Sequence, residues 1–577
     1  MQESNRLLLL SFVVGLTSGM AAVVLSKLIH FLQSVLLPDI SGSGRALGNL
    51  LLPGIGMLAV MLFVKYLIKD NIGHGVTKVL VSVSKKESRI KPHNMWSSIV
   101  ASAATIGFGG SVGAEAPIVY TGAAIGSNFA RYAGLSHRSM TILIGCGAAG
   151  AVSGIFKAPL AGVLFTLEIL LFNISMTSMM PLLLSTVSAA VVSYIFLGND
   201  LPFQCTLTPF SMVNIPFYIV LGLAGGLCSV YFIRMTLHLE DKIGGIGNIY
   251  LRWAVCAVLL GLLIFLFPPL FGEGYSSLGV LLNGGTISLE GTTPLAGLLD
   301  FRWGVPLFFT MILLLKVFSM TLTNAGGGVG GTFGPTLFVG AIAGFVVARV
   351  INLILANTGI SVPEQNFVLV GMAALMAGVM QAPMTAIFLI AEISGGYELF
   401  IPLIIASAIS FGTTRLFEQY SIYTKRIAQS GELLTHDNDQ AVLTLLKTKD
   451  LVRDKYPRVN VDMTLGDFVE VISDSDAQVF AVLDDAGHLE GLVEMDRMRK
   501  LMFKTDQYDV TLVRDFMEAP QALVYIDEKM ESVMEKFDRT EAWRLPVVDQ
   551  DYKYCGFVSK SRILSAYRTE LKEISQD

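Results

Sequence analysis

Residues 107–126 read GFGGSVGAEAPIVYTGAAIG. One carboxylate, Glu115, stands among small residues, and between Lys91 and Arg131 it is the only Asp, Glu, Lys or Arg. The pattern returns further on. GAEAPIVYTGAAIG (113–126) aligns with GTFGPTLFVGAIAG (331–344), glycines and proline in step. A second pair follows in the same order: GAAGAVSGIFKAPLAGVLFTLEI (147–169) aligns with GMAALMAGVMQAPMTAIFLIAEI (371–393). There Pro159 stands opposite Pro383 and Glu168 opposite Glu392. Two matches in one order mark a duplicated chain. Duplicated halves that carry interrupted apolar helices are a signature of membrane transporters, whose site lies where the repeats meet, near the bilayer midplane.

Composition agrees. The 577 residues are 53% hydrophobic, with a mean hydropathy of +0.61, too apolar for an ordinary soluble enzyme. Charge is uneven: residues 1–424 hold 20 Lys+Arg and 16 Asp+Glu, whereas 425–577 hold 21 and 30. The first part reads as membrane-embedded and the second as a soluble acidic domain. Apolar segments run around 7–37, 48–68, 95–130, 139–171 and 177–197, then 215–236, 252–271, 304–322, 335–356, 367–393 and 399–415. Several are broken by Gly and Pro, which membrane helices tolerate only where the freed backbone meets protein or a water-filled cavity. The N-terminal apolar run has no clear cleavage site and reads as the first membrane helix. The basic stretch KKESRIK (85–91) points to the cytoplasm, with the tail on the same side.

Five scattered cysteines form no CxxC or Cys/His cluster, so neither a disulfide framework nor a metal site is expected. No Ser/His/Asp or Cys/His constellation supports an enzyme. Basic residues are too dispersed for nucleic acid.

Three glycine-rich breaks carry the chemistry: GHGV (73–76), GAEAP (113–117) and GTFGP (331–335). A helix N-terminus offers unpaired N–H groups and a partial positive charge, glycine admits an ion close to the backbone, and proline in the first turn removes no needed donor. Several such termini converging would hold a small anion without a fixed charge to trap it. The plainer reading is packing, since GAAIG and GAIAG are both GxxxG. The acid, the proline and the repeat together favour an anion site.

At these residues the chain resembles the CLC family of chloride channels and chloride/proton exchangers, through essentially all of 1–424. The family's GREGP is similar to Gly113-Ala114-Glu115-Ala116-Pro117, its GxFxP to Gly331-Thr332-Phe333-Gly334-Pro335, and its GSGIP to Gly73-His74-Gly75-Val76-Thr77. Its late pore tyrosine corresponds to Tyr423 in SIYTKRI, and APLAGVLF (158–165) matches as well. The resemblance implies an all-α polytopic membrane protein with inverted repeats and broken or re-entrant helices, a homodimer with one pore per subunit. Glu115 would be the gating glutamate and proton acceptor, the alternative being a helix cap. His74, Gly75, Gly113, Ala114, Thr332, Phe333 and Tyr423 would line the anion site, Tyr423 being otherwise an interfacial anchor.

Two departures stand out. His74 replaces the family's usual serine: either its imidazole meets the anion or the ring points away, which leaves chloride, nitrate and fluoride open. At the internal proton site, the second of the family's frequent Glu-Glu pair falls on Ile169, which carries no proton. The adjacent Glu168 could stand in, but its twin Glu392 favours a structural role at a helix end.

After a connector at 425–450, two α/β patterns follow, 451–510 and 511–577. The second resembles a CBS motif through LPVVD and GFVSKSRIL, the first less closely. A tandem CBS pair can bind adenine nucleotides. The usual ribose-binding aspartate is not evident, since Arg562 occupies its place and Glu494-Met495-Asp496-Arg497 does not fit. A regulatory or dimer-stabilising module is expected, with nucleotide binding open. The whole chain therefore reads as an integral protein of a bacterial inner or plasma membrane, exchanging chloride for protons without a resident cofactor. A passive voltage- or proton-gated chloride channel is the alternative that Ile169 favours.

Overall fold

The computed structural model describes residues 3–36, 43–73, 75–84, 88–170, 176–199, 207–283, 301–429, 446–454, 456–540 and 542–567, with positions 203, 295 and 297. It divides into two compact units, Met1–Leu433 and Leu434–Asp577.

The first unit is helical. In its first half come α1 (Glu3–Leu36), α2 (Ser43–Leu62), α3 (Gly75–Ser84), α4 (Ser97–Gly107), α5 (Glu115–Tyr132), α6 (His137–Phe156), α7 (Pro159–Glu168) and α8 (Met176–Leu197). The second half holds α9 (Ile215–Gly244), α10 (Ile249–Leu266), α11 (Tyr275–Leu282), α12 (Gly304–Ala325), α13 (Phe333–Ile354), α14 (Glu364–Val379), α15 (Pro383–Ile393), α16 (Phe400–Phe417) and α17 (Ile422–Gln429). Among the described residues nine helical spans are long and apolar enough to cross a membrane. The long apolar runs in the sequence divide where glycine and proline predict breaks. Run 95–130 becomes α4 and α5, run 139–171 becomes α6 and α7, and run 367–393 becomes α14 and α15.

The duplication is visible in the packing. Helix α1 lies against α6 and α8, as α9 lies against α14 and α16. The breaks before α7 and α15 use the same device: Lys157 and Gln381 both adopt left-handed backbone (φ 56° and 53°), each followed by Ala-Pro. The repeats also exchange identical contacts. Gly113 N–H donates to Gly331 O at 3.0 Å and Gly331 N–H to Gly113 O at 2.7 Å. Reciprocal pairing is what a two-fold relation between repeats requires.

The GxxxG pairs do pack helices. A Cβ on Gly122 would lie 2.1 Å from Gly147 O and one on Gly126 2.0 Å from Leu143 O, so α5 and α6 touch backbone to backbone. In the second repeat the same holds for α13 and α14, where a Cβ on Gly344 would meet Phe367 O at 1.9 Å. The packing and anion-site readings are therefore not rivals: the Gly/Pro breaks stand at the N-terminus of each helix and the GxxxG seam runs along its body.

The second unit contains two three-stranded sheets of one topology. Strands β1 (Arg458–Asn460), β2 (Val479–Leu483) and β3 (Leu489–Glu494) form the first, with β1 parallel and β3 antiparallel to β2. Strands β4 (Val524–Tyr525), β5 (Arg544–Val548) and β6 (Tyr554–Ser559) repeat the arrangement. Among the described residues the helices of this unit are α18 (Thr448–Leu451), α19 (Leu465–Ser473), α20 (Met495–Leu501), α21 (Met530–Thr540) and a further helical stretch over 560–567. The short parallel strands β1 and β4, two or three residues long, lack an alternating pattern and were not expected. Motif boundaries also cross: Leu451 is buried in the core of the second motif with Val524 and Phe537, while Val513 is buried in that of the first with Phe468 and Phe480. The segment expected as a connector, 425–450, holds most of α17 and the start of α18; residues 430–445 lie outside the described residues.

Candidate functional site

Three helix N-termini converge. Gly75 opens α3, and a Cβ there would lie 2.5 Å from Ala116 O in the first turn of α5. The Gly113–Gly331 bridge holds the start of α5 beside the start of α13. A Cβ on Gly113 would lie 2.8 Å from Gly334 N, and one on Gly331 would lie 2.7 Å from the Ala116 Cβ. Glycine is needed at these positions because the backbones themselves are in contact.

Glu115 does not cap its own helix alone. Its side chain is buried and reaches across the repeat boundary, where Gly334 N–H donates to Oε2 at 3.1 Å. The Tyr275 hydroxyl donates to Oε1 at 2.6 Å. The carboxylate thus occupies the N-terminus of α13, where partial positive charge concentrates. A Cβ on Gly334 would press on this carboxylate and on the Tyr275 hydroxyl, at 3.0 and 3.1 Å.

The other expected residues lie around it. Thr332 is the residue before α13, and its Oγ1 donates to the Tyr423 hydroxyl at 3.5 Å. Tyr423 is buried in the first turn of α17, so it is not an interfacial anchor. Ion pairs fix the ends around that helix: Glu418 takes Arg234 Nε at 2.6 Å and also Lys425, while Arg426 binds Glu240. The Phe333 ring packs between Phe156 (5.5 Å) and Phe165 (6.2 Å). Ala114 and Gly113 stand at the start of α5, although Gly113 N–H is taken by Gly331 O. His74 lies outside the described residues.

Glu168 and Glu392 are reciprocal helix caps. The Glu168 carboxylate accepts from Met384 N–H at 3.0 Å, and from Thr385 N–H and hydroxyl at 2.6 and 2.7 Å, at the start of α15. Glu392 accepts from Leu160 N–H and Ala161 N–H at 3.0 and 2.9 Å, at the start of α7. Each acid closes the helix of the other repeat. Ile169 is buried at the end of α7.

Three residues around Glu115 and the start of α5 were missed. Glu273 accepts from Ala114 N–H at 3.0 Å, and Tyr275 follows two residues later. Lys316 is fully buried in α12, donating to Ser111 Oγ at 2.8 Å and Gly272 O at 2.9 Å. A signal for two of them was present: a lone lysine inside GVPLFFTMILLLKVFSMTLTNA and a lone acid in FGEGY are charges that a membrane segment does not carry idly. Nothing in the local pattern points to Tyr275.

These features define an inverted-repeat membrane protein with converging helix N-termini and a carboxylate lodged among them. The family model described as voltage gated chloride channel matches residues 55–415, more than half of the chain, and the chain belongs to that family. A CBS domain matches residues 513–569. The chain is 26% identical over 442 residues to a putative chloride channel protein ClcB-like of Ralstonia nicotianae, covering 74% of this chain and 97% of that protein. It is 28% identical over 429 residues to chloride channel protein CLC-e of Arabidopsis thaliana, covering 69% of this chain but only 58% of the relative's length. Among solved structures it shares its fold with a slow cyanobacterial Cl−/H+ antiporter (TM-score 0.61, 20% identity, 74% of this chain and 98% of that one). A CLC-type fluoride/proton antiporter is similar at TM-score 0.60 and 22% identity, over 73% of this chain and 97% of that one.

Proposed function

We propose that the protein exchanges chloride, or a similar small anion, for protons across a bacterial inner or plasma membrane, with Glu115 as gate and proton acceptor. One observation carries this: the Glu115 carboxylate holds Gly334 N–H at the N-terminus of α13. A carboxylate in that place is an anion using an anion's donors. Protonation removes its charge and weakens its hold, so a transported anion can take the N–H groups. As the anion leaves, the carboxylate loses its proton and returns. One position thus serves both ions in turn, which is the requirement for coupling. Thr332, Phe333 and Tyr423 supply the inner donors, with Gly75 and Ala114 on the facing termini. That two structurally similar proteins are a chloride/proton and a fluoride/proton antiporter supports exchange of a small halide. Ile169 supports the second reading, a passive channel, because it leaves the inner side without a carboxylate beside Glu168, which is engaged at α15.

A homodimer with one pore per subunit and a cytoplasmic tail follows the same reading, as does a regulatory or dimer-stabilising role for the CBS pair. Adenine nucleotide binding there is a matter for direct titration. The deciding experiment places the purified protein in liposomes under a chloride gradient. Uphill proton movement is expected, and Glu115→Gln should abolish it while anion flux persists. Current that reverses at the chloride equilibrium potential, with no uphill proton movement, would establish the channel instead.

A further inference from the structure

We propose that Glu273 is a second gate carboxylate, which holds the N-terminus of α5 against the transported anion as Glu115 holds that of α13. The inference rests on the anion-transport reading above and adds a residue to it. Ala114 is the residue before α5, and its N–H is one of the donors an anion would use. That N–H donates to Glu273 Oε1 at 3.0 Å. Both outer helix termini are thus occupied by carboxylates, and one short turn links them, because Tyr275 of the same turn donates to Glu115 at 2.6 Å.

The turn is built to hold an acid there. Gly272 and Gly274 flank Glu273 in left-handed conformations (φ 60° and 87°). A Cβ on Gly274 would collide with the Phe338 ring at 2.5 Å, so the turn is pressed onto α13. Gly272 N–H donates to Gly109 O at 3.1 Å. Lys316 Nζ reaches from α12 to Gly272 O and Ser111 Oγ, and Ser111 Oγ donates to Leu270 O at 2.7 Å. Lys316 therefore ties the turn to the glycine loop before α5. Among the described residues, the charged and titratable groups that face Glu273 are Glu115, Tyr275 and Lys316. With both acids ionised, two negative charges share one buried ammonium. An arriving anion adds a third, and the least costly response is uptake of a proton by the pair as a unit.

A plain helix cap would use the same hydrogen bond, so the test must separate charge from capping. Glu273→Gln keeps an Oε1 acceptor for Ala114 N–H and removes the charge. Chloride flux from liposomes holding the full chain is measured against pH for wild type, Glu273→Gln, Glu273→Asp and Glu115→Gln. The wild type should activate with a slope of about two protons, one for each carboxylate. Glu273→Gln should activate with a slope of about one and be several-fold faster at alkaline pH, while Glu273→Asp keeps the wild-type slope. A Glu273→Gln profile that superimposes on wild type, alongside an altered Glu115→Gln profile, overturns the proposal and leaves the transport reading standing. Absence of anion flux in the wild type would take down both. If Glu273→Gln fails to fold, calorimetric chloride titration of the wild type in buffers of different ionisation enthalpy replaces it. Uptake of more than about one proton per chloride supports the pair, and one or fewer refutes it.

Discussion

Removing one hydroxyl should retune the gate. Tyr275 donates to the buried Glu115 carboxylate at 2.6 Å, while its ring rests edge-on against Phe203 at 5.4 Å. Tyr275→Phe keeps the ring and its packing and deletes the donor. A hydrogen bond to a charged group contributes about 1.5–3 kcal/mol, and the ionised carboxylate is the better acceptor, so its charged form loses most of that. Each 1.4 kcal/mol is about tenfold in an equilibrium. Chloride should therefore displace the weakened carboxylate at about 10–100-fold lower concentration at fixed pH. Equivalently, the midpoint of proton activation should move up by about 1–2 pH units. The assay is chloride efflux from liposomes over a grid of pH and chloride concentration. Normal maximal flux with an unmoved midpoint would refute the latch, because it would mean that Gly334 N–H alone holds the carboxylate.

Other outcomes follow from the same geometry. Glu168→Gln removes a charged cap at the start of α15, so unfolding should become easier by about 1–2 kcal/mol with the proton-to-chloride ratio unchanged; a collapsed ratio in a stable variant would make Glu168 a proton carrier. Gly344→Ala should separate α13 from α14, since its Cβ would lie 1.9 Å from Phe367 O. A loss of about 1–3 kcal/mol is expected, read as a lowered melting midpoint, whereas Gly279→Ala, which meets nothing within 4 Å, should be neutral or better. In the second unit burial opposes charge on Glu528, but hydrogen bonds from Lys536, Ser532 and the Tyr525 N–H outweigh it and hold the carboxyl below its usual range. Its stabilisation is therefore present above the unfolded carboxylate value and lost as pH falls through the lower folded one. Glu528→Gln should weaken hydrogen-exchange protection around β4 and α21 by about 1–2 kcal/mol at neutral pH, with the difference from wild type starting to narrow as pH falls below about 4 and gone once the folded-state carboxyl is protonated.

Much of this was legible in the linear chain. The repeat, the Gly/Pro breaks and the single acid in GAEAP carry the membrane class and the place of the candidate site, because membrane segments exclude charge and unsatisfied backbone so strictly that exceptions stand out. The break positions were legible for a related reason: proline costs a helix interior a hydrogen bond but suits a first turn, and it opens α7 and α15 one alanine beyond a left-handed residue. The short strands β1 and β4 were not, since two or three residues cannot display a period.

The sequence by itself determined that related helix N-termini fall at the Gly/Pro breaks GAEAP (113–117) and GTFGP (331–335), and that Glu168 and Glu392 are twins. Only the tertiary structure decided where each carboxylate goes. Glu115 takes an N–H 219 residues away, Glu168 and Glu392 each cross to cap the helix on which the other sits, and Glu273 closes α5 from 159 residues away. Local pattern records which face of a helix is apolar. It holds no record of which distant N-terminus a two-fold arrangement will bring within 3 Å of an acid, because that distance is set by the backbone contacts of glycines in both repeats.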